Sequence, residues 1–503
     1  LGHGIRYQCK RPLRKCWPKI TQPSPRPRRR LIDATEIVGK MAAMTENLLA
    51  NDALDRRGFM GSVGAAVLAA GVVSACDRGD GESGTADAPT SNRRNGPHPP
   101  KLTGSADWED VRAQFDLSED TIHMSAMLIS SHPKPVREAI ERHRKGLDRD
   151  PVTYLEANNS SGLNAARSAA GNFLGVGSGR IALTDSTTMG VGMVYNGMQL
   201  APEDEILSTE QDYYVTIEAI RQLSKRTGAR VRRIVLYERT ETLSPDEAVA
   251  RILAGINPRT RVVALTWVHS STGYKLPAGA IGDAIEKINS SRPQERRIVF
   301  ALDGVHGFGV EDVELSDLRC DYLMAGCHKW LFGPRGTGII VAGEQGYAPL
   351  IPSIPSFLES GAFTSWVTDN GDAGPNNAQR MTPGGFQAFE HKWALLDAFE
   401  WIQSIGKSRV AARTYELAGQ LKEGLRSIDA VTVQTPASSR ESAGIVAFDI
   451  EGLSPNAAVA RLRERKIIAS VAPYAIPHVR LTPSIRNTPA EIDEVLRVIR
   501  QMA

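Results

Sequence analysis

The chain has 503 residues, of which 41% are hydrophobic and 23% charged, values that fit folded globular protein with room for more than one domain. Its net charge of +3 averages two unlike parts: residues 1–30 carry ten Lys and Arg and no acid, leaving 50 basic against 57 acidic residues beyond them. The basic excess lies in a Pro- and Arg-rich head rather than in a stripe on a folded domain, so nucleic-acid binding is disfavoured.

In chain order, the head with its "QPSPRPRRR" lacks apolar periodicity and reads as a disordered basic extension over 1–40. Met41 and Met44 follow it, so this stretch reads equally as upstream sequence outside the functional protein. Next comes "LDRRGFMGSVGAAVLAAGVVSAC", where Arg56 and Arg57 precede an uncharged run of 18 residues, Gly58 to Ala75, that ends at Cys76. The run is only weakly hydrophobic, and its basic start and small-residue end describe a cleavable signal over 41–76. "DRRGFM" resembles the twin-arginine export motif, which implies the twin-arginine machinery as a partner and the periplasm as the destination. "VSAC" resembles a bacterial lipoprotein box, which would make Cys76 the lipidated, membrane-anchored first residue; the alternative is a plain cut near Ala75. Residues 77–104 are Gly/Ser/Pro-rich and read as a flexible linker. The two later cysteines, Cys320 and Cys327, do not suggest a disulfide framework.

From about residue 105 short β-branched runs alternate with helical patterns. Strands are predicted at "RIAL" (180–183), "EILS" (205–208), "RRIVL" (232–236), "RVVALTWV" (261–268), "RIVFAL" (297–302), "YLMAG" (322–326) and "GIIVAG" (338–343). Helical segments such as "VTIEAIRQLSKRTG" (215–228) lie between most of them. Near-continuous apolar strands between helices predict an α/β fold with a mostly parallel seven-stranded sheet covered on both faces. Beyond the helical stretch 389–406 the pattern becomes a smaller α+β unit. Its helices open at Ser454-Pro455 and at the capping box Thr488-Pro489-Ala490-Glu491, with short strands "IIASVA" and "HVRLTP" between them.

Ligands of such sheets bind beyond the carboxyl ends of the strands, and three of those ends carry a matched set. Asp303 follows "RIVFAL" directly, and a buried Asp is costly unless it meets a cation. Lys329 follows the next strand in "MAGCHKWLFGPRGTGII". "DSTTMG" (185–190) follows the first strand and opens a helix, whose free N–H groups and hydroxyls suit a phosphate. A carboxylate, a lysine and a phosphate cradle together describe a site for pyridoxal 5'-phosphate (PLP).

These motifs resemble the class V, fold-type I PLP enzymes over roughly residues 105–503. "GCHKWLFGPRGTGII" is most similar to the isopenicillin N epimerase-like branch, and Thr-Thr, Asp-Gly-x-His and His-Lys-Trp occur in the family's order. The resemblance implies an aspartate-aminotransferase-like fold: an N-terminal segment over 105–135 packing on the small domain, a large PLP domain over 136–388 and a small domain over 389–503. It implies that Lys329 bonds the cofactor's aldehyde and then moves the substrate's α-proton, while Asp303 keeps the ring nitrogen protonated. Ser186, Thr187 and Thr188 would hold the phosphate, with His328 as a neighbouring donor. His306 would lie near the ring oxygen or the substrate, and Tyr213, rather than Tyr214, would cover the ring face. Thr382 resembles a threonine that reaches the phosphate across a homodimer interface. Arg480 matches the arginine that grips a substrate carboxylate, with Arg486 as its rival. The family's ring-contacting Asn is missing from "WVHSSTG", which leaves that contact to Ser270 or His269.

The implied activity is that of an exported enzyme acting at the amino-bearing carbon of an amino acid or peptide-like metabolite, with transamination placed first. Epimerisation or C–S/β-elimination in secondary-metabolite or siderophore maturation is the alternative, and a catalytically silent binding protein the third reading. Cysteine desulfurases of this family use a nucleophilic Cys ahead of the carboxylate-binding arginine, and residues 460–479 contain none. No metal site is expected.

Overall fold

The computed structural model describes residues 107–503 apart from 358, 370 and 372. The basic extension, the predicted export signal with Cys76 and the linker over 77–104 lie outside the described residues.

Strand β1 (Ile122–His123) belongs to the N-terminal segment. The next seven strands form one sheet: β2 (Ile181–Thr184), β3 (Glu205–Thr209), β4 (Arg230–Ile234), β5 (Thr260–Thr266), β6 (Val299–Asp303), β7 (Tyr322–Gly326) and β8 (Gly338–Ala342). Their spatial order is β2-β8-β7-β6-β5-β3-β4. Every pairing is parallel except those of β8, which runs antiparallel to both β2 and β7. All seven runs read as strands in the sequence are strands here. Periodicity is blind to strand direction, so the reversal of β8 is new information. The apolar runs are continuous because successive side chains fall on opposite, equally buried faces. Leu323 and Ala325 join one core with Phe300 and Leu302, whereas Tyr322 and Met324 join the other with Ala301.

The chain's last part builds a second sheet from β9 (Val431–Val433), β10 (Val446–Ile450), β12 (Ser470–Val471) and β13 (Val479–Leu481), all antiparallel in the order β12-β13-β10-β9. The short strand β11 (Ile467–Ile468) instead pairs in parallel with β1. Strands β9 and β10 were not anticipated, since "VTV" is too short to stand out. Both predicted caps are present: Ser454 Oγ accepts from Ala457 N, and Thr488 and Glu491 close a reciprocal capping box. Among the described residues no helix is long and apolar enough to cross a membrane.

Candidate active site

The carboxyl ends of β2, β5, β6 and β7 open onto a cleft of about 170 Å³. Ser186, Thr187, Thr188, Tyr213, Asp303, His306, His328, Lys329 and Arg480 all line it, although the chain separates the first and last by almost 300 residues.

The phosphate end comes first. Ser186 caps the helix Thr187–Gly197, its Oγ accepting from Met189 N at 3.1 Å. The N–H groups of Thr187 and Thr188 have no intrahelical partner, and both residues line the cleft. Three buried polar atoms on its lining residues, Thr187 Oγ1, Thr266 Oγ1 and His328 Nδ1, have no hydrogen-bond partner. Buried polar groups are ordinarily satisfied, so these are positions that await a ligand. Gly326 at the end of β7 keeps the space open: a Cβ there would lie 2.9 Å from Thr187 Oγ1 and 3.0 Å from His328 Cε1. The cradle therefore fits a phosphate.

Asp303 ends β6 and is 3% exposed; its Oδ1 accepts from Val305 N at 3.1 Å. Burial pushes its pKa up to about 6, opposed by the Val305 N–H and by the charge of Lys329. The side-chain amine of Lys329 makes no hydrogen bond or ion pair with another described residue. It opens on the cleft, yet the walls around it strip most of its water. That desolvation draws its pKa down to about 8, against the pull of Asp303. A lysine sits between a buried strand and a glycine turn here because its amine is presented at the bottom of a cleft. The loop is held by Phe332 N donating to Lys329 O at 3.1 Å and by Gly333 N donating to Cys327 O at 2.8 Å. Phe332 adopts φ 56, a left-handed conformation costing about 1–3 kcal/mol in a non-glycine residue. Its ring is held by edge contacts to Phe115 and Trp401, at 5.2 and 5.8 Å.

His306 is buried, and its Nδ1 accepts from Trp330 Nε1 at 3.4 Å. That bond leaves Nε2 as the protonated nitrogen, and burial keeps the imidazole neutral by pushing its pKa well below the ordinary value. Tyr213 lines the cleft while Tyr214 is 66% exposed, which resolves the register between them. The fixing residue is Asp212, which the sequence reading missed. It accepts from Ser208 Oγ (2.8 Å), Thr209 N (2.7 Å), Thr209 Oγ1 (2.9 Å) and Thr266 N (2.6 Å), tying the end of β3 to that of β5. An Asp three residues after Ser-Thr at a strand end was the available signal.

Arg480, on β13, is 3% exposed and makes no ion pair with a described carboxylate. It donates to Ser270 O (2.8 Å), Val471 O (3.0 Å) and Ser470 Oγ (3.3 Å), and burial lowers its pKa to about 10. A desolvated guanidinium facing a cleft suits a carboxylate. Its rival Arg486 lines a different cavity. Of the two candidates for the missing Asn, Ser270 lines the cleft, and His269 is turned to Tyr237, with Nδ1 2.8 Å from its hydroxyl. The Ser270 hydroxyl is 2.9 Å from that of Tyr474, a second group the sequence reading missed. The Tyr474 ring lies 5.8 Å from that of Tyr213.

Thr382 does not line this chain's own cleft; its buried Oγ1 donates to Ala378 O (2.8 Å) and accepts from Leu183 N (3.1 Å) and Arg167 Nη2 (3.3 Å). Cys320 and Cys327 are buried thiols whose pKa values burial pushes up, and no cysteine is among the cleft-lining residues.

Comparison with known proteins agrees with this geometry. Residues 130–475 match the family model for aminotransferase class-V. An isopenicillin N epimerase of Streptomyces clavuligerus is 26% identical over 399 residues, covering 78% of this chain and 97% of the relative. A probable cysteine desulfurase of Vibrio cholerae serotype O1 is 23% identical over 419 residues, covering 78% and 97%. Among solved structures, C-DES with glycine covalently linked to its PLP cofactor superposes with a TM-score of 0.68 at 20% identity, covering 77% of this chain and 98% of that one. The chain belongs to the class V aminotransferase family of PLP-dependent enzymes.

Proposed function

We propose that this enzyme moves the α-proton of an amino acid or small peptide-like substrate and that epimerisation is the net result. The observation that carries the reading is the convergence of Lys329, Asp303 and Arg480 on one cleft that no thiol lines among the described residues. Bound PLP supplies a protonated ring that accepts the electrons left when a bond at the α-carbon breaks. The helix start at Ser186, Thr187 and Thr188, with His328, would hold its phosphate, and Asp303 would hold the proton on its ring nitrogen. Tyr213 would cover the ring and exclude water. Arg480 would grip the substrate carboxylate and so orient the α-hydrogen toward Lys329, whose lowered pKa lets the amine take that proton near neutrality. Inversion then needs a proton returned to the opposite face, the side that Tyr213 would cover. Ser270 and Tyr474 would bound the substrate side.

Transamination needs the same groups and was the sequence's first expectation; the 26% identity to an epimerase favours inversion. Desulfuration is supported by the 23% identity to a probable desulfurase, and it stands against a cleft with no cysteine among its lining residues. The test is incubation of the PLP-loaded enzyme with paired L and D amino acids and short peptides in D₂O. Epimerisation gives the opposite isomer carrying α-deuterium. Retained configuration with conversion of the cofactor to its pyridoxamine form would establish transamination instead, and sulfide release from cysteine would establish desulfuration. Export by the twin-arginine route with Cys76 as a lipid anchor, and assembly as a homodimer, belong to the same proposal. Replacing Arg56 and Arg57 by lysine should strand precursor in the cytoplasm, and unaltered export would refute that part alone.

A further inference from the structure

A second cavity, of about 390 Å³, shares no lining residue with the catalytic cleft. Its walls come from the helix Trp108–Ala113, the stretch after it with Thr121 and His123, and Arg486, Asn487 and Glu491 around the start of the last helix; Glu109 and Glu119 also line it, both exposed. The charges there do not cancel pairwise. Arg112 is fully engaged, with Nη2 on Glu491 Oε1 at 2.7 Å and Nη1 on the carbonyl of Arg486 at 2.6 Å. The other oxygen of Glu491 accepts from Asn487 Nδ2 (2.9 Å) and Thr488 N (3.1 Å). Arg486 shares the field of that same carboxylate without bonding to it. It is 2% exposed, its guanidinium makes no hydrogen bond or ion pair with any described residue, and its Nε is buried without a partner. Its charge acts on His123, whose Nε2 is buried and unpartnered as well. A buried cation that shares its counter-charge with a second guanidinium and bonds to nothing itself is a costly arrangement, and an anion supplied from outside relieves it. The cavity supplies the room.

We propose that this cavity binds a small oxyanion, a carboxylate or a phosphate group, with Arg486 as its fork and His123 as a flanking donor. The site is independent of the reaction assigned to the cleft. Thermal melting of the full-length, PLP-loaded protein tests it, with inorganic phosphate and succinate added separately at constant ionic strength. At least one of them raises Tm by about 3 °C or more at saturation, and the pair distinguishes the two anion chemistries. The rise disappears in Arg486→Leu, which melts no lower than wild type without anion because an unpaired buried charge has gone. It persists in Arg480→Gln, so the cleft is not its source. No rise in wild type, a rise that survives Arg486→Leu, or one lost in Arg480→Gln would overturn the proposal. Hydrogen exchange on the wild type needs no variant: the effective anion slows exchange over 118–123 and 484–491, and unchanged exchange there is an equally adverse result.

Discussion

The two ends of the large sheet handle charge in opposite ways. At the amino ends of the parallel strands every buried acid is matched. Asp204 meets Arg296 at 2.6 Å and Arg261 at 3.7 Å, Glu205 meets Arg232 at 2.9 Å and Asn257 Nδ2 at 2.7 Å, and Asp321 meets Arg297 at 3.2 Å and Phe300 N at 2.8 Å. At the carboxyl ends, among the described residues, the Lys329 amine and the Arg480 guanidinium make no ion pair, and three buried polar atoms have no hydrogen-bond partner. The same sheet thus spends its polar groups on cohesion at one edge and leaves them vacant for a ligand at the other. A charge with a partner reports on folding, and a charge without one reports on binding.

Substitutions can break that contrast or sharpen it. Lys329→Ala should lower turnover by about 1,000-fold or more, the scale of a positioned acid–base group, and borohydride should no longer fix the cofactor to the chain. Its unfolding free energy from a urea titration should stay within about 1 kcal/mol of wild type, because no bonded partner is lost. Arg480→Lys should lower kcat/KM for carboxylate substrates by about 100-fold, mostly through KM, as a bidentate fork becomes a point charge. Asp204→Asn is the converse case. It should cost about 2 kcal/mol of stability in a urea titration, moderated by the partial exposure of its arginines, with kcat unchanged. The smallest effect is that of pH on the cofactor-free protein. PLP capture needs a neutral Lys329, so its rate should rise about tenfold per unit up to about pH 8 and then level. The folded chain holds its Asp303 proton up to about pH 6, and the unfolded chain releases it near 3.8. Stability of the cofactor-free protein should therefore fall as pH rises through that window, and Asp303→Asn should remove the fall.

Much of this was legible in the sequence, for a physical reason. Strands buried on both faces are unbroken apolar runs, so the polar residue that ends each one is conspicuous; Asp303, Ser186 and Lys329 were found that way. Arg480 and Tyr213 came from motif resemblance, and the structure places both on the cleft. What escaped had no local signature. Asp212 is defined by four donors, one of them on another strand, and Tyr474 by a hydroxyl 204 residues away. Thr382's neighbours within the chain, Leu183 and Arg167, are fixed by tertiary folding and left no pattern in the sequence either.

Arg480 is moored on two sides, to the carbonyl of Ser270 beyond β5 of the large sheet and to Ser470 and Val471 on β12 of the small one. The gap between guanidinium and lysine amine is thereby a caliper whose jaws belong to different sheets. Compounds whose carboxylate sits one methylene too far from the amine would have to spread both jaws at once. The enzyme should thus measure its substrates by length before it reads their side chains.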